Sequence, residues 1–331
     1  MLSKIIEYFP IKFEAVKKVN KNLFLFEEIE NFFIIHNKSC LKMACYPSIV
    51  GKSLSFHAKI AAKEFLLSLK ELKLSNENFV LLNILRGCLG YELNTVFKNS
   101  KKIYILPKYE KISFRNHVGK TIKIKFKNFK EMENSKEKFS LIVADTIATG
   151  KTMIKCLRAI SNFFERLEKV IFYGFMSLRG ASIVKNFCDK FDLKSYFFTI
   201  SNYSSLAFNN YDMILYGIDE SYFNAKKVKR YLFGVCDIEV FKDMVKYYIP
   251  GLDQPGDFSS RQEILFDGRK FIDNRKFILK HCENNIRLIK TLYLLSCKEE
   301  WFSKVHESRM KGEIINLEKT KMHYESFKRK K

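Results

Sequence analysis

The sequence predicts an α/β fold, a parallel sheet flanked by helices, with an antiparallel arm and a C-terminal helical extension. Three observations lead there. Short continuous apolar runs recur between residues 79 and 175, each with the length and texture of a strand covered on both faces. Patterns with helical spacing separate them. One stretch, Thr121–Phe129, instead alternates strictly between apolar residues and lysine, as a half-exposed antiparallel strand does.

The buried strands are expected at Phe79–Leu85, Ile103–Leu106, Phe139–Ala144 and Val170–Phe175. A helix from about Ser55 to Leu72 precedes the first. Between the last two, Met153, Ile154, Leu157, Ile160, Phe163, Phe164 and Leu167 fall at three- and four-residue steps, which places one helical face on the sheet. In the arm, Ile122, Ile124 and Phe126 alternate with Lys123, Lys125 and Lys127. After residue 265, Phe271, Ile272, Ile278, Leu279, Ile286, Ile289, Leu292, Leu295 and Phe302 predict one or two long amphipathic helices. The basic stretch Lys319–Lys331 is expected to fray. The organisation is therefore an N-terminal extension (1–49), a central α/β domain (50–264) and a basic helical extension (265–331).

Composition sets the class. In 331 residues, 47% are hydrophobic and 29% charged, which predicts a sizeable core and gives no sign of disorder. No apolar run reaches the roughly 18 residues of a membrane span. The eight cysteines include no Cys-x-x-Cys pair, so they are expected to be reduced core residues of a cytoplasmic protein. The six histidines are dispersed, and no protein-built metal site is predicted. A net charge of +23 fits anionic substrates, a nucleic-acid partner, or a solvated lysine-rich surface.

Three loops have the chemistry of a binding site. In the first, a buried strand ends at Ala144, and Asp145-Thr-Ile-Ala-Thr-Gly-Lys-Thr152 leads into a helix. Free amides at a helix start, with the Thr149 and Thr152 hydroxyls, suit a phosphate. Asp145 repels phosphate and suits sugar hydroxyls or a magnesium-bound water, so the loop describes a sugar phosphate. An ordinary helix cap is the competing reading. A nucleotide-binding P-loop would require glycine where Asp145 stands. The second loop, Leu85-Arg-Gly-Cys-Leu-Gly90, offers a guanidinium fork and converging amides for another anion. The third, Tyr247-Tyr-Ile-Pro-Gly-Leu-Asp-Gln-Pro-Gly-Asp257, holds a rigid backbone suited to a planar ligand, or to a plain surface turn.

In this order the three loops resemble those of type I phosphoribosyltransferases, most closely the uracil phosphoribosyltransferases, over about residues 50–260. The family's Leu-Arg-Ala-Gly-Leu-Gly diphosphate loop corresponds to residues 85–90. Its Asp-Pro-Met-Leu-Ala-Thr-Gly-Gly-Ser motif for phosphoribosyl diphosphate (PRPP) corresponds to residues 144–152. Its base loop, Tyr-Ile-Ile-Pro-Gly-Leu-Gly-Asp-Ala-Gly-Asp, corresponds to residues 247–257. The departures are Ala144 for the leading acid, Lys151 for a glycine, and Asp253-Gln254-Pro255 for Gly-Asp-Ala. Pro255 has no amide hydrogen, so a heterocycle other than uracil is open.

The resemblance implies transfer of 5-phosphoribose from PRPP to a ring nitrogen of a small heterocyclic base, with Mg²⁺, in a homodimer. It places Asp145 and Arg86 at the chemistry. PRPP would be held by Arg86, Gly87, Asp145, Thr146, Ala148, Thr149, Gly150, Lys151 and Thr152, with Lys108 or Lys111 on the diphosphate. The base would meet Tyr248, Ile249, Asp253, Gln254 and Pro255. The alternative is a PRPP- or nucleotide-sensing regulator of the same fold that binds nucleic acid through its basic surface.

Overall fold

The computed structural model describes residues 2–9, 11, 13–75, 78–110, 115–133 and 135–327. The predicted α/β class holds. Strands Val16–Lys18 (β1), Leu23–Phe26 (β2), Phe32–Ile35 (β3), Phe79–Ile84 (β4), Lys101–Tyr109 (β5), Ile122–Asn128 (β6), Phe139–Ala144 (β7), Leu167–Ser177 (β8) and Lys194–Leu206 (β9) form one sheet. Their spatial order is β1-β2-β3-β9-β8-β7-β4-β5-β6, and the short strand Met213–Ile214 (β10) adds to β9. The neighbouring strands from β3 across to β5 are parallel. Antiparallel pairs close both ends, β1–β2–β3 at one and the β5–β6 arm at the other.

Burial explains why the central strands read as continuous apolar runs. Every residue of β4 and β7 is buried, because helices cover both faces of the sheet. β4 sits between β5 and β7. The chain leaves β4 on one side to make β5 and the arm, then returns on the other side as β7. Strand order reverses there, and in open α/β sheets that reversal leaves a crevice at the carboxyl ends of the strands.

Among the described residues, segments on either side of the central domain pack into the same core. Residues 16–35 supply three strands of the main sheet. The helices Arg275–Ser296 and Lys304–Ser326 place Ile278, Leu279, Cys282, Ile289, Leu292, Met310 and Leu317 in the same hydrophobic core as the sheet. Phe271 and Ile272, expected in a helix, lie instead in a hairpin of Ile264–Phe266 and Phe271–Asp273. The tail expected to fray from Lys319 is helical to Ser326. Buried Tyr324 donates its hydroxyl to Glu263 at 2.7 Å, and Lys321 pairs with Glu283 at 2.9 Å.

Arg261 ties the ends to the centre. Its guanidinium is buried and donates to the carbonyls of Met43 (3.1 Å), Tyr46 (3.2 Å), Ile49 (3.0 and 3.1 Å), Gln254 (3.4 Å) and Pro255 (3.2 Å). Burial lowers its pKa to about 10, and it remains charged at neutral pH. Leucine at position 261 would strand these acceptors. Arg261→Leu is expected to destabilise the protein by roughly 3 kcal/mol or more, as read by urea denaturation. A loss below about 1 kcal/mol would show that the anchor is dispensable.

Candidate functional site

Residues 145–150 leave the end of β7 and stay strapped to β8. The amides of Asp145 and Ile147 donate to the carbonyls of Tyr173 and Phe175, and Ser177 returns a bond to Ile147. Gly174, at φ +143°, lets β8 pass directly behind Asp145, where a Cβ would strike the Asp145 carbonyl. Gly150, at φ +76°, opens the helix Lys151–Ala159 in a left-handed conformation, and a Cβ there would lie 2.9 Å from the Gly180 carbonyl. From behind, Ser177 donates to the Ala148 carbonyl at 2.5 Å and accepts the Gly180 amide at 2.9 Å. The loop is thus rigidly backed, with its front open. Among the described residues none accepts a hydrogen bond from the amides of Ala148, Thr149 or Gly150.

Two side chains tie the other loops to it. Tyr91 meets the Thr146 hydroxyl at 2.6 Å and stacks on Phe258 at 4.3 Å between centroids. Gln262 donates to the carbonyls of Gly87 at 2.9 Å and Phe258 at 3.0 Å. Together they draw the loops after β4 and β7 and the Pro255–Ser259 segment around one crevice of about 240 Å³. One wall is aromatic. Tyr109 stacks on His117 at 4.2 Å and meets the Thr152 hydroxyl at 3.1 Å, and His117 meets Tyr211 edge-on at 4.9 Å.

Of the residues singled out by sequence, Gly87, Asp145, Thr146, Ala148, Thr149, Gly150, Thr152 and Pro255 line this crevice. Arg86 is exposed beside it, and the Leu85–Arg86 peptide is cis. Lys151 is exposed at the helix start. Lys108 is exposed, pairs with Lys123, and alternates with Pro107 and Tyr109, which line the crevice; it therefore points to the other side of the strand. Lys111 lies outside the described residues. The third loop departs most from expectation. Tyr248 and Ile249 are in the core, where the Tyr248 hydroxyl accepts the Leu215 amide and donates to the Leu252 carbonyl. Gln254 is buried and bonded to Asn202. Asp253 is buried, accepting the Met213 amide at 2.8 Å. Beyond Pro255, the loop presents Gly256, Asp257, Phe258 and Ser259 to the crevice.

Electrostatics single out two groups. Burial raises the Asp145 carboxyl to about 7, against a weaker opposing bond from the Thr146 amide. Burial, reinforced by Lys120, lowers His117 to about 4, so its ring is neutral at pH 7. A carboxyl shifted by desolvation in a crevice marks a candidate ligand site. Among the described residues no three His, Cys, Asp or Glu side chains gather to form a metal cage. Mg²⁺ needs none: it keeps several waters and takes one or two carboxylates together with substrate phosphates. Asp145 and Asp257 are the carboxylates that line the crevice.

No protein-family model and no curated protein sequence matches the chain. Three similar solved structures are low-identity enzymes. The adenine phosphoribosyl transferase of Trypanosoma brucei, solved with AMP, pyrophosphate and ribose-5-phosphate, is 12% identical, with a TM-score of 0.35 over 52% of this chain and 85% of its own. The purine phosphoribosyltransferase of Pyrococcus horikoshii Ot3 is 15% identical, with a TM-score of 0.30 over 44% and 83%. The APRTase of Giardia lamblia is 15% identical, with a TM-score of 0.30 over 44% and 81%. No helix of the described residues is long and apolar enough to cross a membrane.

The raised Asp145 pKa has a stability consequence. The folded protein holds this proton up to about 7, whereas the ordinary carboxyl gives it up near 3.8. The group therefore costs nothing below 3.8, costs progressively more as pH rises to about 7, and costs a constant amount above. Asp145→Asn is expected to raise Tm relative to the parent, with a gap that widens across that window and then stays flat. A gap that does not change with pH across the same window would refute the shift.

Proposed function

We propose that the chain binds PRPP in the crevice at the strand-order reversal and transfers its 5-phosphoribosyl group to a nitrogen heterocycle, releasing diphosphate. One observation carries this reading. Three loops that resemble, in sequence order, the diphosphate, PRPP and base loops of uracil phosphoribosyltransferases converge on a single crevice. The resemblance and the convergence are independent, since the diphosphate and base loops are separated by about half the chain.

The chemistry assigned to each part follows from its donors. The amides of Ala148, Thr149 and Gly150 and the Thr149 and Thr152 hydroxyls take the 5′-phosphate at the helix start. Asp145, once ionised, accepts hydrogen bonds from the ribose hydroxyls. Gly87 and the exposed Arg86 fork stand at the β4 loop for the diphosphate. The bond from the anomeric carbon to the diphosphate oxygen breaks and the oxygen keeps the electron pair. The ring nitrogen of the acceptor supplies the pair for the new bond and, where protonated, loses its proton to solvent. This substitution develops positive charge on the ribose, so fixed dipoles and positioning are what the protein must provide. Mg²⁺, arriving with the diphosphate, would neutralise the departing charge, with Asp145 and Asp257 as its carboxylate neighbours.

The base is the open half of the reading. Pro255 brings no amide hydrogen to the crevice and its carbonyl is already taken by Arg261. Recognition by the uracil-type pattern of loop amides is therefore not supported at that position.

Calorimetric titration of the full chain with PRPP and Mg²⁺ tests the donor half, and diphosphate release with a panel of bases tests the whole. Asp145→Asn is expected to weaken PRPP binding about a hundredfold, the worth of one or two charge-assisted hydrogen bonds. Parent affinity should rise with pH and level off above about 7, as Asp145 ionises, while the Asp145→Asn variant stays flat. Arg86→Ala should cost more affinity for PRPP than for ribose 5-phosphate; equal losses would remove Arg86 from the diphosphate. Failure of the parent to bind PRPP would sink the proposal.

A further inference from the structure

A second cavity, about 430 Å³, adjoins the first. The two share Tyr211, Gly256 and Asp257, which stand between them. Its long wall is the C-terminal helix Arg275–Ser296, which presents Phe277, Lys280, Asn284 and Leu288 at steps of three and four residues. That spacing is one helix face, and about eleven residues at 1.5 Å each extend it over roughly 16 Å. A single pyrimidine ring leaves most of that length unfilled.

Charge along this cavity is unevenly balanced. Arg115 is already committed to Asp212, with Nε–Oδ1 at 2.9 Å, and to Glu220 at 3.4 Å. Burial and the neighbouring Asp212 push the Asp253 carboxyl well above its ordinary range, which disfavours a negative charge there. His281 donates from Nε2 to the Pro47 carbonyl at 2.9 Å, and burial lowers it to about 3. Asp257 stands at the dividing turn. Among the described residues Lys280 has no carboxylate partner, which leaves one uncommitted cation along the wall.

We propose that this second cavity is the acceptor pocket, and that its acceptor is a heterocycle with an anionic substituent, the ring toward the Gly256–Asp257 turn and the charge at Lys280. The inference rests on the phosphoribosyl-transfer reading and adds the class of acceptor to it. It also gives the C-terminal extension a role at the site, since that extension builds the wall.

The test is equilibrium binding to the full chain with ribose 5-phosphate and Mg²⁺ in the donor crevice, so that no transfer intervenes. The probes are two matched pairs, uracil with its 6-carboxylate orotate and nicotinamide with nicotinate. In at least one pair the anionic member should bind about ten times more tightly or better, the worth of one charge-assisted contact. Lys280→Glu, an exposed change with no expected effect on Tm, should erase that preference and leave ribose 5-phosphate binding intact. Neutral members that bind equally well, no binding in either pair, or a preference that survives Lys280→Glu would each overturn the proposal. Failure of ribose 5-phosphate to bind the parent is a separate result, which removes the donor-site reading beneath it.

Discussion

The candidate site depends on a buried guanidinium that forms no ion pair among the described residues. Arg261 spends its donors on the main-chain carbonyls of residues 43–49 and 254–255, segments that lie far apart in the chain. Its own carbonyl takes the Gly51 amide at 2.7 Å, at the start of the helix Gly51–Glu71. A lysine in its place would offer three donors in no fixed plane; the guanidinium fork serves several carbonyls in one geometry. The adjacent Gln262 then reaches Gly87 and Phe258, and Asn274 donates to the carbonyls of Ser259 and Gln262 at 2.9 Å. From this one dipeptide the third loop is held against both the N-terminal segment and the loop after β4.

Such bracing permits a front that is locally unfavourable. Backbone amides at 148–150 are left without acceptors among the described residues, and a carboxyl sits where burial opposes its ionisation. Neither feature stabilises the fold. Both are tolerated because Ser177, Gly180, Tyr91 and the β8 ladder fix the loop from behind. The residues that carry these unmet groups line one crevice.

How legible this was in the sequence depended on burial symmetry. β4 and β7, buried on both faces, read directly as apolar runs, and the loop after β7 could be placed because a strand and a helix bracket it. β9 was not recognised: its second half, Ser201-Asn-Tyr-Ser-Ser205, is polar and reads as a loop. In the structure those polar groups are buried but satisfied internally, Thr199 by the Asn202 carbonyl and Asn202 by Ser204 and Gln254. β1 to β3 were too short for periodicity to register. His117 and Tyr211 had no local signal, since one lies in the arm between β5 and β6 and the other in the turn between β9 and β10, and they meet only in the fold. The burial of Tyr248 in the third loop had no local signal, because a tyrosine that caps two main-chain groups in the core looks, in sequence, like one that faces a ligand.

The arrangement of the third loop connects these points. Its first half is consumed by structure: Tyr248 by Leu215 and Leu252, Asp253 by Met213, Gln254 by Asn202. Only after Pro255 does the chain turn outward, and Gly256, at φ +60°, makes that turn with His281 too close for an added Cβ to sit freely. The helix Arg275–Ser296 therefore fixes both the path of the turn, through His281, and the shape of the space beside it. Its core-facing residues Ile278, Cys282, Ile289 and Leu292 anchor it to the sheet, so the turn between the two cavities is positioned by the same hydrophobic core that supports the crevice. A chain cut before this helix would keep the loop sequences and lose the surface that orients the last of them.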